Sequence, residues 1–341
     1  MKTNYKYSFL FLLIALILCF ILNISLGSVQ ISFSTIIDSF LVKSSEFSNQ
    51  EYIIQNYRLP KAITAILVGS GLGISGLLMQ TLFKNPLAGP FVLGITSGAS
   101  LGVALVILGS SVFGGFLAAF LISKWSLVIA ASLGSFLVLL LVILVSNKVR
   151  DTMAILIIGL MFGSITAAIV SILSYFSTAE QLQQYIFWGF GSLGDLDWNE
   201  VTLFLILYSI GLVFTIASIK ALNTLLLGDN YAKSLGINLK RSRLIIILAT
   251  SLLAGTITAF AGPIAFIGLA IPHVTRQLFK TSNHQVLIPA VLLIGAIIML
   301  ICDCIAQLPN SEYTLPINAI TALIGAPVVI WLLVRQRKMI F

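Results

Sequence analysis

The sequence predicts an all-α membrane protein with about ten transmembrane helices and with both termini in the cytoplasm. Three observations predict it. The 341-residue chain is 59% hydrophobic and only 9% charged, against roughly 25% charged in soluble globular proteins. Its mean hydropathy is +1.09. Its charges are also sorted: with ten apolar runs read as spans, fifteen of the 19 Lys and Arg residues fall on one side and nine of the 11 acidic residues on the other. Lys and Arg collect in cytoplasmic loops, so the basic side is the inside. The net charge of +8 is then a signature of topology. The cations are scattered over short loops, with no basic face interleaved with aromatics, so nucleic acid is not an expected partner.

A span needs about 20 apolar residues. The first runs over about 8–26 behind Lys2 and Lys6. It is long for a signal peptide and no small-x-small cleavage site follows, so it reads as a retained span. An external polar segment, 27–57, holds Asp38, Glu46 and Glu51. Span 2 (60–82) closes at Lys84, and span 3 (90–109) leads into an external connection, 110–125. Span 4 (126–146) ends at Lys148 and Arg150, and span 5 (153–175) opens an external stretch, 177–199, with Glu180, Asp195 and Asp197. Span 6 (200–219) precedes the most basic segment, 220–243, with Lys220, Lys233, Lys240, Arg241 and Arg243. Span 7 covers 244–262. Span 8 (264–279) contains Pro272 and His273 and can be a broken or re-entrant segment. Span 9 (286–306), a turn at 307–315 and span 10 (316–334) complete one transmembrane domain over 1–341, leaving Arg335, Arg337 and Lys338 inside. Trp125, Trp188 and Trp198 fall near the outer boundary and Trp331 near the inner one, where indole rings settle.

Gly94, Gly98 and Gly102 recur every four residues, as do Gly69 and Gly73; such stripes let helix backbones approach in lipid. Ala88-Gly89-Pro90 after span 2 is echoed by Ala261-Gly262-Pro263 after span 7. Span 2 enters from outside and span 7 from inside, so spans 2–5 and 7–10 read as inverted-repeat-like halves.

Catalytic and metal chemistry find little support. Cys302 and Cys304 are too close in sequence for a structural disulfide, and no further Cys or His accompanies them as metal ligands. Intramembrane ionisable residues mark ion pathways, yet only His273 and Asp303 qualify, both near span ends. The chain has no GxxxxGK[ST] loop and no HExxH, so it hydrolyses no ATP and is no evident enzyme. Active transport would need another subunit's energy.

Five stretches carry a resemblance. They are Arg58-Leu59-Pro60-Lys61; Lys84-Asn85-Pro86-Leu87-Ala88-Gly89-Pro90 with Gly94-Ile95-Thr96-Ser97-Gly98-Ala99; Leu227 to Gly236; Gly262 to Arg276; and Leu315-Pro316-Ile317 through Gly325-Ala326-Pro327. In this order, over about 50–335, they closely resemble the permease family of iron–siderophore, haem and vitamin B12 importers of the ATP-binding-cassette (ABC) type. The resemblance implies a multi-pass permease of the cell (inner, cytoplasmic) membrane in contact with lipid. It implies dimerisation with a second copy or a paralogue, two cytoplasmic ATPase subunits and an extracytoplasmic substrate-binding protein. It implies no cofactor on this chain, with ATP and Mg on the ATPase.

Site residues follow from the same resemblance. The basic segment 220–243, and 228–239 within it, matches the ATPase-coupling segment, with Gly228, Asp229, Ala232, Leu235 and Gly236 as its residues; the glycines permit sharp breaks and Ala232 permits close docking. Asn85, Pro86 and Leu87 match the cytoplasmic gate, where Pro86 forbids a continuous helix. Arg58 and Lys61 match the external cations that dock an acidic binding protein. His273 reads as a structural helix-end residue and His284 as a loop residue.

The pattern departs at two points. Vitamin B12 permeases carry an Arg four positions after the Asp of span 9, whereas Gln307 follows Asp303 here. Lys61 stands where the family often has Arg, and Lys lacks its bidentate fork. The expected function is therefore ATP-driven import of an iron–siderophore or related chelate (haem, cobalamin). An ion-coupled secondary transporter is the alternative.

Overall fold

The computed structural model describes residues 5–27, 29, 31, 49–109, 124–146, 152–308 and 313–335. Asp38, Glu46, most of the 110–125 connection, and the cations Lys2, Lys148, Arg150, Arg337 and Lys338 lie outside the described residues. Helices make up all the regular structure among the described residues. They are α1 (Lys6–Ser25), α2 (Asn49–Ile53), α3 (Leu59–Leu82), α4 (Ile95–Ile107), α5 (Lys124–Ser146), α6 (Thr152–Tyr175) and α7 (Ala179–Gly189). They continue with α8 (Trp198–Leu225), α9 (Asp229–Ser234), α10 (Leu239–Ala261), α11 (Ile267–Phe279), α12 (His284–Ala306) and α13 (Ile317–Arg335). A π-turn (Ile54–Arg58) joins α2 to α3, and a 3₁₀ turn (Pro90–Leu93) precedes α4. By length and composition seven helical stretches can cross a membrane, and Ile95–Ile107 and Ile317–Trp331 are shorter apolar helices.

Helix α3 is the centre of the bundle, buried over 89% of its most apolar window. Its sequence allows this because small residues replace bulk at each contact. A methyl group on Gly69 would overlap the Gly295 carbonyl of α12, and one on Gly76 would overlap the Gly268 carbonyl of α11. The second glycine stripe works the same way: Gly98 sits on the backbone of Gly134 and Gly102 on that of Ala130, joining α4 to α5. Close backbone approach maximises dispersion contacts, the main attraction between helices in lipid. Leu72, Leu77, Met79, Phe83 and Phe204 fill the core around it.

Four departures from the sequence reading have local causes. The run at 90–109 is two pieces, because Gly94 turns left-handed (φ 72°) between the 3₁₀ turn and α4. The external stretch 177–199 contains α7, started by a capping box in which Thr178 and Gln181 bond each other's backbone N–H. Such a box supplies orphan donors of the first turn. Helix α8 continues past Lys220 to Leu225, and α10 begins at Leu239, so only the middle of 220–243 is loop and α9. Pro272 is accommodated inside a continuous α11.

The echo has a structural counterpart. Helices α3, α4, α5 and α6 have 24, 13, 23 and 24 residues, and α10 to α13 have 23, 13, 23 and 19. Both 13-residue helices follow an Ala-Gly-Pro break and span only about 20 Å. The first break packs on the start of α11: a methyl on Gly268 would lie 2.9 Å from Pro90 Cδ, and one on Gly89 3.2 Å from Leu269 Cδ2.

Candidate functional site

The basic end of the bundle gathers two of the three candidate sites. Helix α8 stops at Leu225 and the chain turns at Gly228, whose φ of 102° and ψ of 153° lie in a region open essentially to glycine alone. Helix α9 then runs for six residues and ends in a Schellman motif. Ile237 N–H donates to Ala232 O (3.0 Å) and Gly236 N–H to Lys233 O (2.9 Å), with Gly236 left-handed at φ 79°. The two glycines therefore bound a short, fixed helix. Leu227, before the turn, Tyr231 within α9 and Leu235 at its end are exposed. Ala232 is fully buried. Its small side chain packs α9 onto the chain itself.

The turn after α3 carries the second site. Lys84 has φ 47° and Asn85 N–H donates to Gln80 O at 3.1 Å. Asn85 Oδ1 accepts from Leu87 N–H at 2.9 Å, a side-chain turn of the kind Asn favours. Pro86 O lies 2.8 Å from His273 Nε2. Asn85 and Pro86 are half-buried and Leu87 is exposed.

Pairings that the sequence reading did not foresee tie these pieces together. Asp229 Oδ1 accepts from Lys84 Nζ and its Oδ2 from Arg243, both at 2.8 Å. Burial pushes the Asp229 carboxyl up, but the bonds and charges of Lys84 and Arg243 outweigh it and hold the group below its ordinary value. Arg276 donates to Gln80 Oε1 at 3.1 Å. His284 is fully buried, 2.9 Å from Thr81 Oγ1 through Nε2 and 2.8 Å from Asn223 Oδ1 through Nδ1. It is a bridge between α3, α8 and α12, not a loop residue. The only local signal was Asn283, a good N-cap residue just before it, whose side chain accepts from Gln285 N–H. A cleft of about 640 Å³ lies between these parts, lined by Pro86, Asn223, Leu227, His273, Arg276 and Lys280.

The third candidate site lies at the other, acidic end, and both its cations are turned inwards. Arg58 is 9% exposed. It donates to Ile24 O (2.6 Å), Ser25 O (2.9 Å) and Val29 O, capping the C-terminus of α1. A cation there meets the negative end of the helix dipole. Lys61 Nζ lies 3.1 Å from Asp303 Oδ1. The other oxygen of Asp303 accepts from Asn23 (2.8 Å) and Gln307 (2.7 Å). Gln307 thus completes a buried network joining α1, α3 and α12. Close by, Lys124 pairs with buried Glu200 at 2.6 Å. A second cleft of about 670 Å³ opens at this end, lined by Tyr57, Lys124, Trp188, Asp195 and Phe260 among others. Among the described residues no group of three or more His, Cys, Asp or Glu could hold a metal.

Comparison with known proteins fits this arrangement. The FecCD transport family model matches residues 15–335. The chain is 38% identical over 288 residues to the vitamin B12 import system permease protein BtuC of Klebsiella pneumoniae, covering 84% of each. It is 36% identical over 303 residues to BtuC of Citrobacter koseri, covering 88% of this chain and 89% of that one. Among solved structures, an inward-facing conformation of a putative metal-chelate type ABC transporter matches with a TM-score of 0.84 and 31% identity, over 97% of this chain and all of that one. PsaBC from Streptococcus pneumoniae shares the fold at 16% identity and a TM-score of 0.56. With a family model spanning nearly the whole sequence and seven helices able to cross a bilayer, the chain belongs to the FecCD transport family, as a multi-pass permease of the cytoplasmic membrane and not an enzyme.

Proposed function

We propose that this chain is the membrane-spanning subunit of an ABC importer that moves a metal chelate into the cytoplasm. The observation that carries the reading is its likeness, over 97% of its length, to a transporter described as of metal-chelate type. The chain has no nucleotide-binding loop of its own, so ATP and Mg would be held by two partner ATPase subunits. A second copy or paralogue would complete the pathway, and a binding protein would deliver the substrate.

In this reading ten helices cross the membrane: the seven long ones, the two shorter apolar ones and α11. The basic end, with both termini, is cytoplasmic by the positive-inside rule. Helices α3–α6 and α10–α13 are inverted halves, supported by their matched lengths and by the Ala-Gly-Pro break that precedes each 13-residue helix. The coupling segment would dock the ATPase through the exposed side chains of Leu227, Tyr231 and Leu235, with Gly228, Asp229, Ala232 and Gly236 fixing its shape. Asn85, Pro86 and Leu87 would form the cytoplasmic gate. Arg58 and Lys61 would serve docking at the outer end chiefly by shaping it, since each is held by partners within the chain.

The substrate class is a metal chelate, with a corrinoid favoured by the likeness to vitamin B12 permeases and a ferric siderophore or haem as its neighbours in chemistry. The test is uptake into vesicles holding this chain with its ATPase and binding protein. Cyanocobalamin, a ferric siderophore and haem are each offered with and without ATP. ATP-dependent uptake of one of them supports the reading. Protonophore-sensitive uptake by this chain alone would overturn it.

A further inference from the structure

The coupling segment and the gate turn are far apart in sequence, yet one carboxylate joins them. Asp229 opens α9, and Lys84 immediately precedes Asn85-Pro86-Leu87. Each carboxylate oxygen has its own cation: Oδ1 takes Lys84 Nζ and Oδ2 takes Arg243, both at 2.8 Å. Three elements therefore meet on one side chain: the turn after α3, the start of α9 and the first turns of α10.

Both bodies joined by this contact are stiff. The gate turn is held by the bonds from Asn85 N–H to Gln80 O, from Leu87 N–H to Asn85 Oδ1 and between His273 and Pro86 O. The left-handed backbone of Lys84 (φ 47°) is further fixed by that surrounding structure. Helix α9 is bounded by Gly228 and by the Gly236 cap. Charge-assisted hydrogen bonds between stiff bodies are short and directional, so they carry displacement from one to the other.

We propose that Asp229 and Lys84 form the mechanical link by which movement of the coupling segment reaches the cytoplasmic gate, with Arg243 anchoring the link to α10. This rests on the importer reading above and adds to it the residues that transmit the stroke. Asp229 and Lys84 are positioning residues: neither is placed against substrate. Their side chains are 34% and 44% exposed, and pairs this exposed add little to stability. Cutting the link therefore leaves the fold in place and shows itself in function.

The experiment uses the full complex in vesicles and reads chelate taken up per ATP hydrolysed, with cyanocobalamin and a ferric siderophore as probes. Lys84→Gln and Asp229→Asn each lower that ratio by about fivefold or more, the lower end of ordinary coupling between sites. The double variant is no worse than either, because both cut the same link. The unfolding midpoint of Lys84→Gln stays at the wild-type value. A Lys84→Cys, Asp229→Cys pair bridged by a short reducible bifunctional thiol reagent regains coupling, and reductant removes it again. An unchanged ratio in Lys84→Gln, or losses that add in the double variant, would overturn the link alone. A wild-type complex that takes up neither probe on ATP would overturn the importer reading and the link with it.

Discussion

Substitutions at Gly236 separate the cost of backbone shape from the cost of side-chain bulk. The residue closes α9 with φ 79°, and a methyl group placed on it meets nothing within 4 Å. Within the chain, a side chain there costs only its dislike of the left-handed conformation. That is about 1 kcal/mol for Ala and about 2 kcal/mol for a β-branched Val, while Asn tolerates it at a few tenths. Helix α9 has six residues, too few to persist without its caps. The penalty therefore falls on local opening of α9 and not on the bundle. At 1.4 kcal/mol per tenfold, the ratio of intact to open segment falls about fivefold for Ala and about 30-fold for Val. The assay is uptake per ATP in vesicles, beside hydrogen exchange across 229–236. The expected order is Gly, then Asn, then Ala, then Val, with equal yields of folded protein and equal unfolding midpoints. If Asn is as damaging as Val, bulk at a docked surface and not backbone shape sets the requirement, and the reasoning fails.

Three further outcomes follow from other parts of the chain. Lys61→Met strands the carboxylate of Asp303, which is 2% exposed, with only Asn23 and Gln307 as donors. The loss is about 2–3 kcal/mol in detergent unfolding, below the value for a fully buried pair because Lys61 is partly solvated, and Asp303→Leu added to it recovers part. Arg58→Gln removes three bonds to the end of α1, costing about 2 kcal/mol, and raises protease cleavage near residue 26. Asp229 titrates below its ordinary 3.8, so its stabilisation is fully present above that value and is lost only as pH falls through the lower folded value. Uptake per ATP is therefore flat between about pH 5 and 8, and a sigmoid loss within that window would count against the link.

What could be read from the sequence was whatever repeats locally. Long apolar runs announce helices because each must satisfy its own backbone in lipid, and α5 and α6 begin and end close to the runs that predicted them. The glycine stripes announced close packing, though not the partners: nothing in Gly98 points to Gly134. Breaks inside an apolar run were hidden, since the left-handed Gly94 leaves hydropathy unchanged. The continuation of α8 beyond Lys220 was hidden for the opposite reason, a charge that a helix end tolerates by extending its stem. The polar networks were least legible. Lys84 with Asp229, His284 with Thr81 and Asn23 with Asp303 join residues 145, 203 and 280 positions apart, and no local pattern pairs them. The glycines at 228 and 236 announced the sharp breaks that bound α9, while the inward turn of Ala232 needed the fold.

The most direct test of the central claim is a gentle-detergent purification of this chain from its native membranes, with the co-purifying proteins identified and their amounts measured by mass spectrometry. An ATPase subunit in stoichiometric amount, lost when Gly236 is replaced by Val, is the result this account predicts. Recovery of the intact chain without any ATPase, still moving a chelate into vesicles on an ion gradient, would contradict it.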